Sequence, residues 1–212
     1  LEDKMKLIEL CLTMAYEAKV NYTDVYSQVR CWDTIIYNHL LKKNIMIPPR
    51  EDHDKDTQYE GAYVKDPQLG LHNWIVSFDL NSLYPHLIMQ YNLSPETLVG
   101  VQPKNMGVEN YLNEKFNLQW ARDKNVTVAP NGSMYRRDKQ GFLPELMEKM
   151  YGDRVVFKKK TIEAKKEFQK TKDPIYKNEI SRCNNIQMAK KISLNSAYGA
   201  IGNQYFRYFD VR

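Results

Sequence analysis

Apolar residues recur at helical spacing from the start of the chain. Leu7, Ile8, Leu10, Cys11, Met14, Ala15 and Ala18 mark one amphipathic helix over roughly the first twenty residues. Asn21-Tyr-Thr-Asp breaks it, and a second helix follows with Val25, Val29, Trp32, Ile35, Ile36, Leu40 and Leu41 on one side. That helix is predicted to end near Asn44, ahead of the Pro48-Pro49 pair. Between Trp74 and Tyr91 the pattern changes: Ile75 to Leu80 is β-rich and predicts a strand that delivers one carboxylate, Asp79, to a turn. Ser82, Tyr84 and Pro85 interrupt the run before a second apolar segment. Ser94 reads as an N-cap with Pro95 at the first helical position. Residues 101–142 are poorly periodic, with a hairpin predicted around Asn131-Gly132 and a turn at Gln140-Gly141.

From Leu143 helical spacing returns through Leu146, Met147, Met150, Val155 and Ile162 to about Phe168. Pro174 lacks an amide hydrogen and biases Asp173 away from helix, so the helix is interrupted there. A second long helix runs from about Ile175 to Tyr198 and is expected to stop at Gly199, giving an antiparallel helical hairpin. The fold class is therefore α+β and mainly helical: a strand region, a small antiparallel insertion and two long helices, preceded by N-terminal helices.

At 212 residues the chain can bury a real core as one large domain or two small ones. No run reaches the ~18 to 20 apolar residues of a membrane span, and no basic-plus-apolar leader precedes the first helix, so a soluble, cytosolic protein with no membrane partner is expected. Cys11, Cys31 and Cys183 are odd in number and far apart, which points to reduced, mostly buried thiols rather than a zinc site or a disulfide framework. Arg50 to Gln58 holds Glu51, Asp52, His53, Asp54 and Asp56 and reads as a solvated linker at a domain boundary rather than a metal site. Because the chain starts at Leu1 and stops inside the patterned stretch Tyr205 to Arg212, it is expected to be part of something longer.

The net charge of +5 is unevenly distributed: Tyr151 to Lys191 carries twelve Lys or Arg against five acids. That field suits a polyanionic partner, and it also suits a solvated helix surface. On the second long helix Gln187, Lys191, Asn195 and Tyr198 fall on one face, a stripe matched to a ligand with phosphates at one end and a flat ring at the other. Arg154 and Lys158, four apart on the first helix, offer a guanidinium fork beside a point charge. Asp79 alone reads either as a helix cap, with Tyr84 filling core, or as a metal-binding acid. One carboxylate together with cations from two helices has the logic of phosphoryl transfer.

At this point the residues resemble a known family. Asp79-Leu-Asn-Ser-Leu-Tyr-Pro is similar to motif A of family B DNA polymerases, and Lys191-Ile-Ser-Leu-Asn-Ser-Ala-Tyr-Gly to their motif B. Tyr59-Glu-Gly-Ala resembles their segment between exonuclease and polymerase domains, and Arg154 with Lys158 their fingers-helix pair. The flanking text Trp32-Asp-Thr-Ile-Ile-Tyr-Asn, Ser94-Pro-Glu-Thr, Pro130-Asn-Gly and Gly202-Asn-Gln-Tyr-Phe-Arg-Tyr is similar to the replicative members from T-even-type bacteriophages, so the likeness covers nearly the whole chain.

The resemblance implies residues 1–50 as the last helices of an exonuclease-like domain, 51–73 as a linker and template-contacting segment, and 74–142 as the start of the palm with a β insertion. Residues 143–198 would be the fingers hairpin and 199–212 the return to the palm. Asp79 would ligate Mg2+, one of two ions, with the Leu80 carbonyl. Ser82, Leu83 and Tyr84 would meet the incoming nucleotide, Tyr84 under its sugar. Arg154, Lys158, Lys191 and Asn195 would grip the triphosphate, Tyr198 and Gly199 would line the nascent base pair, and Tyr59 and Gly61 would touch the template.

The implied activity is template-directed addition of deoxynucleotides to a primer 3′ end in viral DNA replication. It would act on primer-template DNA in the host cytoplasm, with a sliding clamp reached only through regions outside this chain. The family's second metal carboxylate motif, thumb and exonuclease carboxylates are not in this sequence, so the fragment by itself is expected to be inactive. A non-catalytic DNA-binding fragment and one half of a split polymerase are the alternatives. The resemblance gives His86 no role; relatives often carry a small residue there.

Overall fold

The computed structural model describes residues 2, 6–47, 49, 64–101, 110, 113 and 119–209. Helix α1 spans Leu7–Ala18 and ends at Lys19 in the left-handed region, where its amide reaches back to Ala15 and Tyr16. The expected break is a 3-10 turn, Tyr22–Tyr26, that takes up Val25, so the next helix begins later than the apolar pattern suggests. Ser27 caps it by accepting from the Arg30 amide, and α2 runs Gln28–Lys42.

Helix α3 is Leu83–Tyr91. A 3-10 turn at Pro95–Thr97 and strand β1, Leu98–Val101, follow. After the short helix α4, Gln119–Asp123, come β2, Val126–Val128, and β3, Ser133–Arg136. The hairpin lies where Asn131-Gly132 predicts it, and the antiparallel sheet has the order β1-β3-β2. Between Leu98 and Gly100 the β1 register against β3 is irregular. Thr127 Oγ1 donates to the Tyr91 carbonyl at 2.6 Å and ties the sheet to the end of α3.

The long hairpin is α5, Phe142–Thr171, and α6, Pro174–Ile201. Asp173 caps α6 by accepting from the Ile175 amide, with Pro174 at the first position. Gly199 does not end the helix. Ala197 and Ala200 are both buried against the core, so packing carries the helix through the glycine to Ile201.

One principal core joins Trp32, Ile36 and Leu40 of α2 and Ile88 of α3 to Leu143, Leu146 and Met147 of α5. Leu194, Ala197 and Ala200 of α6 and Phe206 and Phe209 beyond it complete the cluster. It therefore runs across the boundaries that the sequence suggests near residues 50 and 142. Trp32 supplies a polar tie as well as bulk, its indole N–H donating to the Ser193 carbonyl at 3.1 Å. A smaller cluster packs Met14 and Ala15 of α1 and Val25 on Ala189 of α6. Cys31 and Cys183 are buried thiols and Cys11 is half-buried; burial pushes the Cys31 thiol above its ordinary value. No helix among the described residues is long and apolar enough to cross a membrane.

The start of α5 is capped from another part of the chain. Asn92, left-handed at the end of α3, accepts from the Gly141 amide at 2.9 Å and donates to the carbonyls of Arg136 and Lys139. Glu96 accepts from the Phe142 amide at 2.6 Å. Gly141 leaves no room for a side chain: a Cβ there would lie 2.5 Å from Ser94 Cβ and 3.0 Å from Thr97 Cγ2, both on buried residues. Gly141→Ala is expected to cost about 2 kcal/mol of overpacking and lower Tm by about 6 °C in thermal unfolding. An unchanged Tm would contradict the close approach.

On the next turn, Glu145 pairs with Lys43 and lies 3.5 Å from His39 Nε2. Burial pushes the His39 imidazole below its ordinary value and the Glu145 carboxylate pulls it partly back, while Lys43 holds the Glu145 carboxyl below the usual range. The unfolded chain therefore takes up protons before the folded one at both groups. Their stabilisation is complete above the unfolded histidine value of about 6.5 and is lost on acidification, His39 first and Glu145 after it. Glu145→Gln is expected to move the His39 titration, followed by imidazole NMR, to lower pH; a shift upward would contradict this.

Candidate active site

The approach to the site corrects one expectation. Ile75, Val76, Phe78 and Leu80 are β-prone, but residues 75–80 form no strand and are exposed throughout. A strand exists only through ladder bonds to a neighbour, and no described residue supplies them. Asp79 is still delivered to a turn. Ser82 sits there in the left-handed region (φ 53°, ψ 48°) and starts α3 without a side-chain cap bond. The first amides of α3 are thus not closed by their own cap, and Pro85 has none to close.

An open cleft of about 760 Å³ lies between this turn and the helical hairpin. Residues 78–85 line one side of it, including Asp79, Leu80, Ser82, Leu83 and Tyr84, and Arg154 of α5 with Lys191 and Asn195 of α6 line the other. Phe78, Asn81 and Pro85, which were not among the expected site residues, complete the lining. Two helices that are far apart in sequence from Asp79 thus bring a guanidinium, an ammonium and an amide to the cleft that the carboxylate opens on.

Arg154 Nη1 donates to Ser82 Oγ at 3.1 Å, while its buried Nε has no hydrogen-bond partner. A buried guanidinium N–H without an acceptor is costly and fits a cleft built to receive an anion. Asp79 and Lys191 are exposed, and neither has an ion-pair partner among the described residues. The Tyr84 and Tyr198 rings stack face to face, with centroids 4.7 Å apart and planes 8° apart.

The remaining expected site residues lie further out. Lys158 is exposed one turn beyond Arg154 and does not line the cleft, and Gly199 is exposed beside Tyr198 with nothing within 4 Å of where a Cβ would be. Gln187, on the same stripe as Lys191, donates to Asn184 Oδ1 at 3.0 Å. Tyr59 and Gly61, like the acidic stretch from Arg50 to Gln58, lie outside the described residues.

Lys190, next to Lys191, points the other way. Its side chain is only 9% exposed and reaches Glu17 of α1 at 2.7 Å and Asp153 of α5 at 3.2 Å. Glu9 of α1 accepts from Ser181 Oγ and Asn185 Nδ2. These contacts tie α6 to α1 and α5 beside the face that carries Lys191 and Asn195. Nothing in the sequence separates the two lysines except the period of the helix, by which adjacent residues are turned roughly 100° apart.

A sequence model of DNA polymerase family B matches residues 20–209. The chain is 30% identical, over its full length and 28% of the relative, to the DNA-directed DNA polymerase of Escherichia phage RB69. It is 31% identical, over 99% of its length and 28% of the relative, to that of Enterobacteria phage T4. The DNA polymerase delta catalytic subunit of Candida albicans is 30% identical over 79% of the chain and 14% of that protein. In fold, the chain superposes on the family B DNA polymerase of Pyrobaculum calidifontis with a TM-score of 0.67, at 24% identity, over 97% of this chain and 24% of that one. The chain thus spans little more than a quarter of the phage relatives it matches. Matched by the family along nearly its whole length, it belongs to DNA polymerase family B.

Proposed function

We propose that this chain is the palm-start and fingers portion of a DNA-directed DNA polymerase, and that the cleft at Asp79 receives the triphosphate of an incoming deoxynucleotide. The observation that carries the reading is the shared cleft, with one carboxylate on one side and Arg154, Lys191 and Asn195 on the other. Plain DNA binding needs cations alone. A lone exposed carboxylate beside cations suits a ligand that carries both negative phosphates and a metal ion.

The donor set fits Mg2+, which is held by one or two carboxylates together with substrate phosphates. Asp79 and the Leu80 carbonyl would hold it, and no described cluster of three or more metal-ligating side chains competes for it. Bound there, it would supply Lewis-acid stabilisation of the phosphoryl oxygens, and a two-ion site requires a second carboxylate besides Asp79.

The chain's own residues do the rest. Arg154 and Lys191 bind the β- and γ-phosphates and neutralise charge on the leaving pyrophosphate, and Asn195 donates beside them. The uncapped first turn of α3 offers the Leu83 and Tyr84 amides to phosphate oxygens. Tyr84 lies under the sugar. Lys158 would reach the phosphates only after the hairpin moves inward, and Tyr198 with Gly199 would border the new base pair. The primer 3′-oxygen then bonds to the α-phosphorus as its bond to pyrophosphate breaks. Domain limits at 50, 73, 142 and 198, template contacts at Tyr59 and Gly61, and action in the host cell during viral replication belong to the same reading.

Primer extension tests it. The full-length enzyme with Mg2+ is expected to extend a primer, and Asp79→Asn to abolish extension while leaving DNA binding intact. Extension unaffected by Asp79→Asn would overturn the reading. DNA binding without any nucleotide addition by the wild-type enzyme would replace it with that of a non-catalytic DNA-binding module.

A further inference from the structure

We propose that His86 is a positioning residue of the nucleotide site, fixing through the Ser82 carbonyl the turn from which Ser82 holds Arg154; this rests on the reading of the cleft given above. Ser82 carries a β-carbon yet has φ 53° and ψ 48°. That conformation is uncommon for a residue other than glycine and is disfavoured unless neighbouring contacts hold it. Its carbonyl is held twice by one residue: the His86 amide donates at 3.1 Å and His86 Nδ1 lies at 2.9 Å. A carbonyl only accepts, so Nδ1 carries the proton.

The imidazole is fixed in turn from α5. Tyr151 meets it edge-on, with centroids 4.7 Å apart and planes 80° apart. Tyr151 and Arg154 are three apart on α5 and so share a face. That face therefore touches the start of α3 twice, Tyr151 on His86 and Arg154 on Ser82 Oγ at 3.1 Å, and both contacts converge on the same serine. Without the His86 donor the turn is free to relax, Ser82 Oγ moves, and Arg154 loses the contact that aims it into the cleft.

A histidine that merely bonded back to its own helix would affect folding and leave nucleotide affinity alone. The two cases separate in steady-state kinetics of the full-length enzyme with one deoxynucleotide on a fixed primer-template. His86→Ala and His86→Leu are expected to raise the nucleotide KM about fivefold, the equivalent of one lost hydrogen bond, with kcat within about twofold. His86→Asn, whose amide N–H can stand where Nδ1–H stands, is expected to return KM to near the wild-type value. Tyr151→Leu, which leaves His86 in place and frees its ring, is expected to raise KM about threefold by the same route.

An unchanged KM in His86→Leu, or a His86→Asn enzyme as impaired as His86→Leu, would overturn the assignment. Arg154→Ala provides the control. If it raises KM while the His86 variants do not, the positioning role alone fails. If it leaves KM unchanged, the nucleotide-site reading fails with it.

Discussion

Tyr84→Ala in the full-length enzyme is expected to admit ribonucleotides, lowering the preference for deoxynucleotides by about tenfold to a hundredfold. The Tyr84 ring lines the cleft, yet it is not free to swing away: it lies flat against Tyr198 at 4.7 Å, and the buried Pro85 follows it in the first turn of α3. A ring stacked flat on its neighbour resists yielding to an added 2′-hydroxyl. Forcing such a group into a site that does not relax costs about 1 to 3 kcal/mol, which sets the size of the expected change. Alanine opens the space, whereas Tyr84→Phe keeps the stack and is expected to keep the discrimination. The check is the ratio of incorporation efficiencies for a deoxynucleotide and its ribonucleotide opposite one template base; a ratio unchanged in Tyr84→Ala would contradict the assignment.

Lys191→Ala is expected to lower kcat/KM for nucleotide addition by about a hundredfold to a thousandfold, the loss typical of removing one preorganised group from developing charge. Lys191 faces the cleft without an ion-pair partner among the described residues, so its charge is not already spent on a protein carboxylate. Lys190 is the internal comparison, since its ammonium is committed to Glu17 and Asp153. A Lys191→Ala enzyme that kept its wild-type rate and affinity would show that the cleft's cations do not meet the transferring phosphates.

Much of this was legible in the sequence, and the parts that were not have physical reasons. The long helices α5 and α6 declared themselves through their apolar period and the Asp173-Pro174 break, and Asn131-Gly132 marked its hairpin, because both signals are local. The reading of Ile75 to Leu80 as a strand failed because β-branched and aromatic residues set a preference that only a neighbouring strand can realise. Gly199 misled in the opposite direction: the buried alanines on either side of it outweigh its helix penalty. Asp79, Arg154, Lys191 and Asn195 were nameable in advance, but their meeting in one cleft depends on contacts between segments that are far apart in sequence, the Arg154–Ser82 bond among them. His86 and Asn92 were invisible as functional candidates, since their work is done on the backbone of Ser82 and of Gly141, which no side-chain pattern records.

The central claim is that the cleft between Asp79 and the helical hairpin holds the triphosphate. Photoaffinity labelling of the full-length enzyme, bound to primer-template, with a deoxynucleotide bearing an azidoaryl group on its γ-phosphate addresses it directly. Peptide mapping is expected to find the label around Arg154 and Lys191, lost on competition with unlabelled deoxynucleotide and reduced in Lys191→Ala. Competable label confined to other surfaces, such as the groove where Glu9 and Glu17 of α1 meet α6, would contradict the account.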